Sequence, residues 1–123
     1  HQWSVVMSGP DSDWCRGVAS DSEGNVYVAG DFESPILGLE GEQLGNTNPG
    51  SSDLFLLKYD GEGTLDWSAA YGSDSYDECR AVSTGPLGVV YLTGYYKGEA
   101  INFGGGLLPQ AGGADAFLVK LGQ

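Results

Sequence analysis

The residues with chemistry to offer are two cysteines, one histidine and seventeen carboxylates, spread over 123 positions. Cys15 and Cys79 sit in matching contexts, DWCRGV and DECRAV. A thiol nucleophile needs a neighbouring base, and neither context contains a histidine. His1 is the single histidine. A copper site on it lacks a second imidazole, and a Ser-His-Asp arrangement would rest on a chain end with little to orient it. The carboxylates gather around Asp11 and Asp13, around Asp74, Asp77 and Glu78, and in the stretches DSEGN and YDGEG. Calcium favours several oxygens converging from a loop, and Asp11, Asp13, Asp74 and Asp77 are the candidate ligands because they recur at matching positions. None of these stretches has the twelve-residue calcium-loop pattern with its closing bidentate Glu, and solvated turns are the competing reading. A glycosidase pair cannot be found from sequence spacing. No catalytic residue is expected and, calcium aside, no cofactor.

The aromatic residues point to binding. Trp14 stands in a polar stretch beside Asp13, and its counterpart in the second context is Glu78. Tyr95 and Tyr96 follow VYLTG where the first unit has Asp31 and Phe32. An aromatic plate next to carboxylates suits a sugar, so Trp14, Asp13, Asp77, Tyr95 and Tyr96 are the candidate ligand-binding residues. Trp3 and Trp67 recur as a pair and are expected to pack.

These residues are positioned by a repeat. Trp3-Ser4 returns as Trp67-Ser68, CRGV as CRAV, VYVAG as VYLTG, and DLFLLKY as DAFLVKL, in the same order. With 21 Gly and no long run at helical spacing, the composition predicts an all-β chain of short strands and turns. Within a unit the strands are CRGVASD, VYVAGDF, DLFLLKY and LDWSAAY. A tight turn at DSEGN joins the first two, and a long Gly-, Asn- and Pro-rich loop follows the second. A meander of four antiparallel strands, repeated, describes two four-stranded β-propeller blades, with a parallel solenoid as the structural rival. The charge of −12 disfavours nucleic acid and anionic lipid as partners. The apolar runs fall far short of the roughly 20 residues of a membrane helix, so no membrane insertion is expected.

The stretches GNVYVAGDF, DLFLLKYDGEGTLDWSAAYG, VVYLTGYY and GGADAFLVKL resemble the seven-bladed β-propeller repeat family of secreted and surface bacterial proteins. The resemblance implies a propeller fold and an extracellular or cell-surface setting, and it carries no catalytic residues. Residues 10–72 then form a first blade, and residues 73–123 a second that lacks its fourth strand. The equivalent of that strand is residues 1–9. Propellers span roughly 4 to 8 blades, so two cannot close a ring, and the N-terminal strand is expected to complete a blade of a neighbouring chain. Trp3, Ser4, Val5, Val6 and Met7, meeting Phe117 and Val119, are the expected inter-subunit strand residues. Head-to-tail contacts of this kind close into a ring or run on as a filament. In an extracellular setting, Cys15 and Cys79 near the axis are expected to form a disulfide within or between chains, two free thiols being the alternative. The function expected is a non-catalytic structural or adhesive module whose partner is itself, as oligomer or polymer. The alternatives are an oligomeric lectin binding carbohydrate at one rim and a fragment of a larger propeller.

Overall fold

In a computed structural model the chain is described at residues 2–109 and 111–122. Two aspartates set the tightest turns. The Asp21 carboxylate accepts from the amides of Glu23 (2.9 Å) and Asn25 (3.0 Å), and Gly24 takes the positive φ of +86°. Asp60 repeats this with Glu62 (2.9 Å) and Thr64 (3.0 Å), and Gly63 also lies at φ +86°. DSEGN and YDGEG are therefore turn caps, as the solvated-turn reading expects.

The first turn joins β1 (Asp13–Ser20) to β2 (Val26–Phe32). Next come β3 (Ile36–Leu39), β4 (Glu42–Gly45), β5 (Asp53–Tyr59) and β6 (Leu65–Tyr71). The first sheet has the order β1-β2-β5-β6, antiparallel throughout. The stretch expected as a long loop carries the β3–β4 hairpin instead. Its apolar Leu37, Leu39 and Leu44 bury against Phe32, Phe55 and Leu57, a contact an extended loop would not make. The second unit contains β7 (Asp77–Thr84), β8 (Val90–Tyr96), β9 (Ala100–Asn102), β10 (Leu107–Pro109) and β11 (Asp115–Leu121). Its sheet has the order β7-β8-β11, with β9 and β10 as the matching hairpin. The three strands agree with the count from the repeat, and no α-helix occurs among the described residues.

One core lies between the sheets. Tyr27, Ala29, Leu54 and Leu56 of the first meet Val90, Leu92, Ile101, Phe103 and Phe117 of the second unit. Each large side chain buried there is worth about 1.5–3 kcal/mol. A second cluster covers the opposite face of the first sheet, with Val5 and Met7 against Phe32, Phe55, Leu57 and Tyr59. The first sheet is thus covered on both faces, and β5 has no exposed residue. The equivalent β11 alternates, with Phe117 buried and Leu118 73% exposed, because the outer face of the second sheet has no cover.

Candidate functional site

A polar cleft lies between the two sheets. A bulge in β1 between Cys15 and Gly17 turns the strand, and the Trp14 carbonyl comes down over β2. Gly30 is required beneath it, since a Cβ there would stand 1.9 Å from that oxygen. The second unit repeats the device, with a bulge between Cys79 and Ala81 and the Glu78 carbonyl 2.0 Å from a Cβ at Gly94. The glycine that ends both VYVAG and VYLTG therefore makes room for the bulge that aims the side chains around it.

Arg16 is aimed by that bulge. It donates from Nε (2.9 Å) and Nη2 (3.2 Å) to the two carboxylate oxygens of Asp31, which is buried. Asp31 also accepts from the Cys79 amide at 3.4 Å, tying the two sheets together. Burial pushes the Asp31 carboxyl up and Arg16 works against that, while the bond to Asp31 raises Arg16 in turn. Glu78 lies 3.5 Å from Arg16 and 3.3 Å from Arg80, and it accepts the Tyr95 hydroxyl proton. That bond raises the Tyr95 pKa. Arg16 lies 5.4 Å from the centre of the Trp14 ring, and Arg80 and Lys97 lie 5.3 and 5.9 Å from that of Tyr95. Trp14, Arg16, Asp31, Glu78, Tyr95 and Lys97, together with Glu33, Ser52 and Tyr76, line a cavity of about 240 Å³.

Of the expected ligand-binding residues, Trp14 and Tyr95 share this cleft. Asp13 is turned to Ser34, accepting from its hydroxyl (2.9 Å) and amide (3.3 Å). Asp77 is fully buried and accepts from the Ser73 hydroxyl (2.5 Å) and amide (2.8 Å). Tyr96 is a core residue whose hydroxyl donates to the Pro109 carbonyl (2.9 Å). Residue reasoning missed Arg16, Glu33, Tyr76 and Lys97. A signal was present in the sequence: the paired positions Asp31 and Tyr95, and Glu33 and Lys97, differ between units whose flanking motifs agree.

The candidate calcium ligands are not brought to one point. Asp13 and Asp77 serve their serines, Asp74 accepts from the Glu99 amide (2.8 Å), and the Asp11 amide donates to Ser34 (3.1 Å). Among the described residues no three His, Cys, Asp or Glu side chains converge as a metal set. His1 lies outside the described residues.

No disulfide joins Cys15 and Cys79 within the chain, where both are free thiols, the stated alternative. Cys15 is exposed and its Sγ lies 4.0 Å from the Met7 sulfur, on the face of the first sheet turned away from the second. Cys79 is buried between the sheets. Two units related by rotation point equivalent side chains in the same sense around the axis, so Cys15 and Cys79 do not face one another.

Trp3 packs on Tyr59 with ring centres 6.3 Å apart, and its indole N–H donates to the Gly61 carbonyl (3.2 Å). Val5 and Met7 continue along the same face. Trp67 and Tyr71 of β6 lie in the same way against the second unit, which contains Leu121, Val119 and Phe103. Residues 3–7 lie along the first sheet outside any strand, and among the described residues the strand contact of this segment is the bridge from Ser8 to Gly38. Phe117 and Val119 face inward to the core between the sheets, and Leu118 is the residue presented outward.

A β-propeller repeat model matches residues 2–31, which run from the N-terminal segment through β1 to the Asp31 end of β2. Residues 2–31 carry a β-propeller repeat. Among curated proteins, the chain is 23% identical over 111 residues to an uncharacterised WD repeat-containing protein of Acanthamoeba polyphaga mimivirus. That match covers 82% of the chain and 8% of the relative. The chain is also 31% identical over 102 residues to the regulatory protein FlaEY of Caulobacter vibrioides, covering 82% of the chain and 10% of the relative. The chain spans about a tenth of the length of these relatives or less.

Proposed function

We propose that this chain is a non-catalytic structural or adhesive propeller module, working outside the cell, that extends head to tail by donating residues 3–8 to the open β11 edge of a second copy. The observation that carries this reading is the seat of Trp3, Val5 and Met7 on the first blade, which repeats that of Trp67 and Tyr71 on the second. The repeat also supports one register for the donated strand. In the first blade Trp67 opposes Lys58, Ala69 opposes Leu56 and Tyr71 opposes Leu54. The donated strand then sets Trp3 opposite Lys120, Val5 opposite Leu118 and Met7 opposite Ala116 of the acceptor. Pairing covers Val6 and Leu118, which are 67% and 73% exposed, and it satisfies an apolar edge that is adhesive when left open. The extracellular setting rests on the resemblance to secreted and surface propeller repeats.

The test is mass in solution. Light scattering should give multiples of 12.9 kDa, removal of residues 1–9 should return the monomer, and Ser4→Cys paired with Val119→Cys should crosslink copies under oxidation. A monodisperse 12.9 kDa species at all concentrations would overturn the assembly.

A further inference from the structure

We propose that the cleft between the two blades binds a neutral carbohydrate, one pyranose ring of a hexose or of a short oligosaccharide. Trp3 and Trp67 are engaged in packing, whereas Trp14 and Tyr76 stand 38% and 47% exposed at the mouth of the cleft. Large aromatic faces left to solvent beside polar groups are an incomplete surface, suited to the C–H face of a ring. The polar groups select the rest of the ligand. Arg16 and Lys97 offer donors, while Asp31, Glu33 and Glu78 offer acceptors. A small anion entering would meet three carboxylates in a chain of net charge −12, and a small cation would meet Arg16 and Lys97. A neutral polyol avoids both conflicts, because each hydroxyl donates and accepts.

Glu33 is poised for this role. It is half-buried on the wall of the cleft, and its carboxylate has no hydrogen-bond partner among the described residues, unlike Asp31 and Glu78. The cavity of about 240 Å³ is smaller than the roughly 300 Å³ at which drug-sized pockets begin, so one ring fits and further rings extend into solvent. The cleft is also where the two units part company. Trp14 stands opposite Glu78 in the alignment, Asp31 opposite Tyr95 and Glu33 opposite Lys97, while the Cys-Arg and Val-Tyr motifs around them agree. The bulges are a shared structural device, and the side chains they aim are particular to this junction.

The experiment is ligand-observed saturation-transfer NMR on the whole chain with glucose, galactose, mannose, N-acetylglucosamine and their disaccharides. Glucuronic and sialic acids serve as charged comparators. Transfer from at least one neutral sugar is expected, weakened at least tenfold by Trp14→Ala, severalfold by Tyr76→Ala or Glu33→Gln, and unchanged by Trp67→Phe. Circular dichroism of each variant checks that it is folded. Silence from every neutral sugar, tighter binding of the charged sugars, or undiminished binding by folded Trp14→Ala would overturn the proposal. The cleft lies within one chain, so its test is independent of the assembly: a monomer that binds the sugar supports the cleft while overturning strand donation.

Discussion

Replacing Asp77 by asparagine should remove one component of the pH dependence of stability. Asp77 opens β7 at the junction of the two blades, where its amide donates to the Ser52 carbonyl at 3.0 Å. The side chain is fully buried, and burial is the main reason its pKa rises from the ordinary 3.8 to about 6. The two bonds from Ser73 pull it down, and the neighbouring Asp53 and Asp74 carboxylates push it up further. In the unfolded chain the ordinary value returns. Below pH 3.8 the group is therefore protonated in both states, and above about pH 6 it is charged in both. Because the folded value is the higher one, its contribution to stability is fully present at low pH and is lost as pH rises through that window. The elevation corresponds to about 3 kcal/mol, at 1.36 kcal/mol for each pH unit, as an order of magnitude. Asparagine can keep its carbonyl oxygen on the Ser73 amide and turn its NH2 toward the Ser73 hydroxyl, so the site stays occupied without the charge. The assay is urea unfolding followed by tryptophan fluorescence at pH 4, 5, 6 and 7. Part of this is already lost at pH 4, so the wild-type chain should lose about 2 kcal/mol relative to Asp77→Asn across the series. A constant difference between the two proteins, or a wild-type gain toward neutral pH, would refute the assignment of buried charge to Asp77.

Gly30→Ala drives a Cβ to within 1.9 Å of the Trp14 carbonyl and 2.7 Å of the Phe55 ring, so the β1 bulge must move. A loss of about 3 kcal/mol or more is expected, with a lowered thermal midpoint, and an unchanged melt would show that the bulge is not needed. In the folded chain an aromatic disulfide reagent should titrate the exposed Cys15 and leave Cys79, which burial pushes up to about 12, unmodified until denaturant is added. Two reactive thiols in the folded chain would contradict the buried position of Cys79, and fewer than two under denaturing conditions would reveal a bridge.

The strands that alternation and turn residues mark are where the sequence predicts them. Each of β1, β2, β5 and β6 is bounded by a glycine, proline or carboxylate turn and packs on a neighbour of its own repeat. The hairpins β3–β4 and β9–β10 escape such a reading because their apolar residues are few and set among Gly, Asn and Pro. Only the face they cover, with Phe32, Phe55 and Leu57, gives Leu37, Leu39 and Leu44 a reason to order. The cysteines and the cleft mislead in opposite ways. Cys15 and Cys79 suggest a bridge because their positions match, yet it is the match that turns them in the same sense around the axis and keeps them apart. Asp13 and Asp77 attract attention because they recur, and recurrence marks a role that both blades need, since each fastens a serine, Ser34 or Ser73, beside its strand. Trp14 and Tyr95 depart from the repeat, and they are the expected ligand residues that reach the cleft. In a chain built from copies, agreement between units reports what every blade must do to fold. A function belonging to one junction has to be written where the units disagree, and here those differences meet across a single cleft at Trp14, Asp31, Glu33 and Lys97.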